Sequence, residues 1–129
     1  MTPEGESYVQ LAERDLRKAK RLLALKEDLF HADVCGHSQQ IVEKYLKAWL
    51  CERNLNFPTT HRLTDLLDLL LPLEPLWDPL RKPLLGLSRY ATVSRYAHEE
   101  ISREEAKAAL TLARGVRKLI RERLGLSKN

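Results

Sequence analysis

Hydrophobic residues recur every three or four positions along most of this chain, which is the spacing of amphipathic α-helices. The first such segment spans about 3–25, and its apolar positions are Tyr8, Leu11, Ala12, Ala19, Leu22 and Leu23. The second spans about 29–51, with apolar positions at Val34, Ile41, Val42, Tyr45, Trp49 and Leu50. Asn54, Asn56 and Pro58 then break the pattern. Two long helices are therefore predicted in the first half of the chain.

Two shorter helices are predicted next. The first begins at Thr59 or Thr60, because a threonine hydroxyl caps a helix N-terminus well, and it ends before Pro72. The second is a short, bent helix from about 76 to 87. The prolines that interrupt this second segment are Pro75, Pro79 and Pro83.

The last helix has the clearest boundaries. Ser102 and Glu105 form the pattern of a capping box at its start, and Gly125 follows Leu124 as a helix-ending residue. Three long and one or two short helices predict an all-α fold, an antiparallel up-and-down helical bundle of about five helices. At 129 residues, the chain is expected to form a single domain over residues 1–129.

Composition and charge agree with a helical protein that contacts phosphates. Charged residues make up 31% of the chain, whereas glycine and β-branched residues are scarce. The net charge of +4 is compatible with binding a nucleotide or RNA. No apolar run reaches the roughly 18 residues that cross a bilayer, and the N-terminal residues do not resemble a signal peptide. We therefore expect no membrane association and a cytoplasmic location.

The two cysteines are not predicted to pair. Cys35 and Cys51 lie 16 positions apart in one predicted helix, which separates them by about 24 Å. That distance is far beyond the reach of a disulfide, so we expect reduced thiols in the core. Neither cysteine has the close Cys or His spacing of a zinc site, and no metal or other cofactor is predicted.

The most informative segment for function is 88–100. It contains Arg89-Tyr90, Arg95-Tyr96 and His98 within ten positions. Arginine offers a planar fork of donors for phosphate, tyrosine offers a ring for stacking on a base, and histidine titrates near neutral pH. In the alternative interpretation, the tyrosines are core residues and the arginines pair with nearby glutamates.

The second predicted helix carries Lys44 and Lys47 on one face, with Gln40 a turn earlier. This face either lines a groove or is a solvated surface with internal contacts such as Glu43–Lys47. His61, at the start of the third helix, is interpreted as a polar anchor between helices rather than as a catalytic group.

The last helix carries a basic stripe at the same spacing: Arg114, Arg117, Lys118 and Arg121. The stripe either meets phosphates or is a solvated face whose charges complement the helix C-terminus. The chain has no glycine-rich phosphate loop, no nucleophile elbow and no convincing pair of carboxylates, which leaves most familiar enzyme classes without support.

Three stretches of the chain resemble the HEPN family. Gln39–Ala48 follows the family's apolar helix signature, and Thr60–Leu63 matches its Thr-His-x-Leu helix start. Arg95-Tyr96 before Glu104-Glu105-Ala106 matches the family's entry to the last helix. The order and separation of these stretches cover nearly the whole chain.

The resemblance implies an up-and-down helical bundle that forms a homodimer and works with a small nucleotidyltransferase, in some pairs as toxin and antitoxin. Family members with ribonuclease activity place an Arg and a His at a fixed short spacing at the dimer interface. Here eight residues separate Arg89 from His98, and two separate Arg95 from His98. This departure favours the nucleotide-binding branch, to which Arg95-Tyr96 is similar.

The expected function is therefore a nucleotide-binding or partner-binding module. The residues expected at its phosphate and base contacts are Arg89, Tyr90, Arg95, Tyr96, Lys44 and Lys47. Two alternatives stay open: a metal-independent ribonuclease that uses Arg95 or Arg89 with His98, and a purely structural interaction protein.

Overall fold

Residues 1–25, 27–91 and 100–129 are described by the computed structural model, and the structural statements below concern these residues. Five α-helices lie within them: α1 (Pro3–Ala24), α2 (His31–Glu52), α3 (Leu63–Leu70), α4 (Arg81–Ser88) and α5 (Arg103–Leu124). Three helices have 22 residues and two have eight. The predicted all-α fold, with three long and one or two short helices, is confirmed, and the number of short helices is two.

Local signals determine the ends of α1 and α5. The Thr2 hydroxyl caps α1 by accepting a hydrogen bond from the Gly5 amide at 3.0 Å. The Ser102 hydroxyl caps α5 in the same way, at 3.0 Å from the Glu105 amide. Gly125 ends α5 with a φ of 73°, a left-handed conformation that glycine adopts without steric cost. The predicted limits of both helices are confirmed to within one residue.

The second helix begins slightly later than predicted. A 3-10 turn over Asp28–Phe30 precedes α2, which starts at His31 rather than at Leu29. The His31 side chain is buried, and its Nδ1 donates to the Ile101 carbonyl at 2.9 Å. This contact joins the start of α2 to the residues just before α5.

The predicted start of the third helix is wrong. α3 begins at Leu63, and the Thr60 hydroxyl instead accepts from the Arg62 amide at 3.1 Å within the preceding loop. Tertiary hydrogen bonds hold this loop out of the helix. Gln39 donates to the His61 carbonyl at 3.0 Å, and the Leu63 amide donates to the Ser88 hydroxyl at 2.9 Å.

The proline-rich segment forms the short, bent unit that was predicted. A 3-10 helix over Pro75–Leu80 leads into α4. Pro83 lies in the first turn of α4, where its missing amide hydrogen has no helical partner to lose. The bend therefore follows from the positions of the prolines.

The long helices enclose the core, and α2 lies between α1 and α5. Glu13 pairs with Arg117, and Arg103 donates to the Leu23 carbonyl at 2.8 Å, so α1 and α5 run antiparallel. α2 and α5 run in the same direction, because His31 at the start of α2 contacts Ile101 just before α5, and Tyr45 further along α2 contacts Arg121 near the end of α5. The largest fully buried side chains include Tyr45, Ile41, Leu46, Leu66 and Leu84.

The exposed faces of the long helices are strongly charged. α1 alone exposes five cations: Arg14, Arg17, Lys18, Lys20 and Arg21.

Among the residues that the structure describes, every helix is either too short or too polar to span a bilayer.

Both cysteines are free thiols, but only one lies in the core. Cys35 is fully buried, whereas Cys51 is partly exposed near the end of α2. Burial raises the pKa of the Cys35 thiol to about 12, and the negative charge of Glu105 adds to the effect. Burial also raises the pKa of Cys51, with contributions from Glu4 and Glu52. The expectation of two core thiols therefore holds for Cys35 alone.

We expect Cys35 to be almost inert to thiol reagents in the native protein, because its thiolate is scarce and its sulfur is inaccessible. In a Cys51→Ser variant, reaction with Ellman's reagent near pH 8 should be more than about tenfold slower than in the urea-unfolded chain. The Cys35→Ser variant is the matched control and should react faster, through Cys51. Equal rates in the two folded variants would contradict this prediction.

Candidate functional site

A groove between α4 and α5 contains two of the predicted site residues. Its volume is about 310 Å³. The residues that line it are Gly86, Leu87, Arg89, Tyr90, Glu105, Ala108, Ala109 and Leu112. Most of this wall is apolar, and its polar groups are those of Arg89, Tyr90 and Glu105. Such a combination of apolar wall and few polar groups is typical of small-molecule sites.

Tyr90 forms part of the wall rather than an exposed platform. Only 7% of the residue is exposed, and its hydroxyl donates a hydrogen bond to the Glu105 carboxylate. Burial raises the pKa of the Tyr90 hydroxyl, and the Glu105 carboxylate raises it further. The phenol therefore stays protonated at neutral pH and fixes the position of Glu105. An exposed ring is better suited to stacking on a base than the buried ring of Tyr90.

Arg89 lies against the same wall with an exposed side chain. Its guanidinium carbon is 5.2 Å from the centre of the Tyr90 ring, a distance at which a cation is attracted by the aromatic face. Tyr90 therefore helps to orient Arg89. The groove thus combines an apolar surface with a guanidinium group, which is the donor that matches phosphate geometry.

Gly86 lines this groove from the α4 side. It lies inside α4, and a Cβ added there would meet no atom within 4 Å. An alanine would therefore fit and would favour the helix more than glycine does. Packing does not require a glycine at this position, but its lack of a side chain leaves the α4 wall accessible.

Three of the predicted site residues lie outside the described residues: Arg95, Tyr96 and His98. The phosphate contact of Arg95, the base contact of Tyr96 and the catalytic alternative for His98 therefore stay predictions. Arg89 and Tyr90 belong to a 3-10 turn, Arg89–Ala91, that directly precedes residues 92–99.

Lys44 lies in a polar network between α1 and α2. Its ammonium group pairs with the Asp15 carboxylate, which also accepts a hydrogen bond from His37 Nδ1 at 2.8 Å. Asp15 is buried. Burial alone would raise the pKa of Asp15, but the hydrogen bonds and charges of His37 and Lys44 outweigh it and hold the pKa below 3.8. This network stabilises the contact between the two helices.

Lys47 belongs to a second network, around Glu43. Lys47 Nζ is 3.0 Å from the Glu43 carboxylate, which His61 Nδ1 also contacts at 3.0 Å. Gln39 donates to the same carboxylate at 3.2 Å. The predicted Glu43–Lys47 contact is confirmed, and His61 acts as a polar anchor for the loop before α3.

The structure does not bring the lysines together with Arg89 and Tyr90. Cys35 of α2 packs near Tyr90, whereas Lys44 is nine residues further along the same helix. Nine residues correspond to about 13.5 Å of rise and to the opposite face of the helix. Arg89 and Tyr90 therefore form one cluster, while Lys44 and Lys47 lie in separate ion pairs. The predicted phosphate-binding role of the two lysines stays a prediction.

A third network, centred on Glu13, was not predicted from the sequence. Arg117 donates to both carboxylate oxygens of Glu13, at 2.7 and 2.9 Å, and Tyr45 donates at 2.6 Å. Arg121 donates to the Tyr45 hydroxyl at 3.1 Å. Burial raises the pKa of Tyr45 to about 12, and the hydrogen bond to Glu13 contributes. This network connects α1, α2 and α5.

The residues of the basic stripe predicted on the last helix differ in burial and in pairing. Arg117 is only 6% exposed and paired with Glu13, whereas Arg114 and Lys118 face solvent. The stripe is therefore not a solvated face throughout, and phosphate contact by its exposed cations stays a prediction. Helical periodicity places Arg117 on the apolar face of α5, between Ala113 and Ile120, but no local pattern identifies its partner, which lies 104 residues away.

A family model for the HEPN domain matches residues 6–123, which extend from α1 to the end of α5. The chain belongs to the HEPN family. Comparison with curated proteins and with solved structures finds no significant match. The HEPN assignment agrees with the all-helical fold and confirms the resemblance that the three sequence stretches indicated. Both short helices and all three polar networks lie within the matched HEPN region.

Proposed function

We propose that this HEPN protein binds a nucleotide in the groove between α4 and α5. The observation that carries the proposal is the presence of the Arg89 guanidinium beside an apolar wall within one groove. Lys44 and Lys47 do not line this groove, and they lie in ion pairs with Asp15 and Glu43.

In this proposal, the wall formed by Leu87, Ala109 and Leu112 receives the base. Burial of apolar surface supplies part of the binding free energy. Arg89 contacts a phosphate oxygen, because guanidinium–phosphate hydrogen bonds are charge-assisted and therefore strong. Arg95 and Tyr96, which follow shortly after in the sequence, complete the phosphate and base contacts.

The direct experiment is a titration of fluorescently labelled nucleotide against wild type and an Arg89→Gln variant. A charge-assisted hydrogen bond contributes about 1.5 to 3 kcal/mol, so affinity should fall by about tenfold or more. Arg62→Gln is the matched control, because Arg62 is an exposed arginine before α3 that does not line the groove. Its affinity for the nucleotide should equal that of wild type.

Equal nucleotide affinity in the wild-type and Arg89→Gln proteins would contradict this site. An Arg95→Ala variant distinguishes two forms of the proposal. If both arginine variants bind weakly, the two residues form one phosphate site. If Arg95→Ala alone binds weakly, the phosphate lies closer to residues 92–99 and Arg89 is not its ligand.

We also propose that the protein acts as a homodimer with a small nucleotidyltransferase as its partner, in a toxin–antitoxin type of pair. The support is membership of the HEPN family, together with exposed leucines near α4. Leu76 is 88% exposed and Leu85 58% exposed, which is unusual for large apolar side chains. Sedimentation velocity of the protein, alone and mixed with a nucleotidyltransferase from the same genome, tests both parts. If the protein sediments as a monomer both alone and in the mixture, both parts of the proposal are contradicted.

A further inference from the structure

A second groove lies between α1 and α5, on a different face of α5 from the nucleotide groove. Its volume is about 480 Å³. Its lining residues are Leu23, Lys107, Leu110, Thr111, Arg114, Gly115 and Lys118. None of them lines the groove next to α4. Leu23 and Leu110 contribute an apolar surface, and the three cations follow one side of α5.

Two cations of α1 extend this positive surface. Glu13 and Leu23 mark the side of α1 that faces α5, since they contact Arg117 and Arg103 respectively. Lys20 lies seven residues after Glu13, which places it on the same side, and Arg17 lies one turn after Glu13. Lys20 and Arg17 are both exposed.

We call the groove, together with the positive surface that extends it, the α1/α5 cationic groove. Its five cations are Arg17, Lys20, Lys107, Arg114 and Lys118. Within the described part of the chain, none of them forms an ion pair or a side-chain hydrogen bond. Glu104 and Glu122 lie on α5 beyond the two ends of the groove. In the described part of the chain, their carboxylates do not pair with any of the five cations. The buried Arg117 differs, since it is paired with Glu13. Among the residues that the structure describes, no carboxylate pairs with the positive charge of the cationic groove.

Gly115 lies inside α5 at the edge of this groove. A Cβ added there would meet no atom within 4 Å, so an alanine would fit and would favour the helix. As at Gly86, packing within the protein does not require glycine. The absent side chain leaves the backbone of α5 accessible between Arg114 and Lys118.

We propose that the α1/α5 cationic groove binds the phosphodiester backbone of a single-stranded nucleic acid. Lys107 and Lys118 are 11 residues apart, so the cations extend over about 16 Å of helix and suit several phosphates along one strand. The leucines provide apolar surface for sugars or bases. A concave groove is a poor match for a planar lipid surface, and backbone recognition by lysine and arginine needs no base-specific contact.

This site is independent of the proposed nucleotide site. It uses other residues, on another face of α5, and it recognises a polymer through several phosphates. A short strand bound here extends along the α1–α5 junction, whereas a mononucleotide in the groove next to α4 contacts Arg89.

The experiment is fluorescence anisotropy with a labelled oligouridine RNA over a series of salt concentrations. Each phosphate contact on a single strand contributes about 0.7 to the slope of log affinity against log salt. The double variant Arg114→Gln/Lys118→Gln should therefore bind more weakly at low salt and lose about 1.4 from the slope. Both side chains are exposed, so the variant should keep the wild-type circular dichroism spectrum and Tm.

The charge-matched control is Arg62→Gln/Lys82→Gln, which removes two exposed cations outside the groove. It should retain the wild-type affinity and slope. The Arg89→Gln variant should also bind the RNA normally, which separates this proposal from the nucleotide site. Single-stranded DNA of matching sequence should bind with similar affinity, because both strands present the same phosphates.

Three results would overturn the proposal. The first is a groove variant that binds RNA with the wild-type affinity and salt slope. The second is a control variant that loses as much affinity as the groove variant, which would indicate attraction by net charge alone. The third is binding to vesicles of anionic phospholipid without binding to either oligonucleotide.

Discussion

Replacing Arg117 with methionine is expected to lower the free energy of unfolding by about 3 kcal/mol, since it leaves the partly buried Glu13 carboxylate without the buried arginine that neutralises it. Methionine retains much of the side-chain volume, so the main loss is electrostatic. Glu13 would lose the two hydrogen bonds that Arg117 donates at 2.7 and 2.9 Å. Its carboxylate would then have Tyr45 as its hydrogen-bond donor from the core.

Urea unfolding followed by circular dichroism measures this loss. The matched control is Arg81→Met, which removes an arginine from an ion pair with Asp68 that is largely exposed to solvent. Exposed ion pairs contribute little, so the control should unfold at nearly the wild-type urea concentration. Similar losses in the two variants would show that the Glu13 network does not stabilise the junction of α1, α2 and α5.

A second large effect is expected at Asp15. Asp15→Asn should lower the free energy of unfolding by about 2 kcal/mol at neutral pH, the size of a hydrogen bond to a charged group. Asparagine has almost the same volume, but it removes the negative charge that pairs with Lys44 and His37. The side chains of Lys44 and His37 are largely shielded from solvent, so the loss of the negative charge that pairs with them lowers the free energy of unfolding.

The pH dependence follows from the direction of the Asp15 pKa. Hydrogen bonds and charges hold this pKa below 3.8 in the folded protein, despite the opposing effect of burial. The stability that Asp15 contributes is therefore complete above pH 3.8 and is lost as the pH falls through the lower folded value. The difference between wild type and Asp15→Asn should shrink in that acidic range.

Urea unfolding at a series of pH values from neutral to strongly acidic tests this behaviour. Asp68→Asn is the control, because the Asp68–Arg81 pair is exposed, and it should change stability little at any pH. A difference between wild type and Asp15→Asn that persists undiminished in acid would show that the charge of Asp15 is not the source of its effect.

Much of the fold was predictable because its signals are local. The capping hydroxyl of Ser102 and the left-handed Gly125 act within one turn of the helix they delimit, and they are visible in the sequence. The prolines of the 75–88 region likewise determine a short, bent unit through their own backbone geometry. The start of α3 was not predictable in this way, because Gln39 and Ser88 hold the preceding loop from elsewhere in the chain.

The candidate sites were likewise predictable where their residues are close in sequence, and not where distant helices bring them together. Arg89 and Tyr90 were found because they are adjacent in sequence and belong to one turn. Lys44 and Lys47 were grouped with them because they share one helix face and lie in a stretch that resembles the family, and the structure places each lysine in a separate ion pair. The cationic groove depends on two helices that lie at opposite ends of the sequence.

The sequence by itself determined that this protein is a bundle of three long and one or two short helices of the HEPN family, because periodicity, caps and family motifs act over short stretches. The tertiary structure alone decided which cations are available to a ligand. Arg114, Arg117 and Lys118 share one stripe of α5, yet only Arg117 is buried and paired with Glu13. Helical periodicity places Arg117 on the apolar face of α5, but the carboxylate that neutralises it comes from the packing of a helix that is distant in sequence.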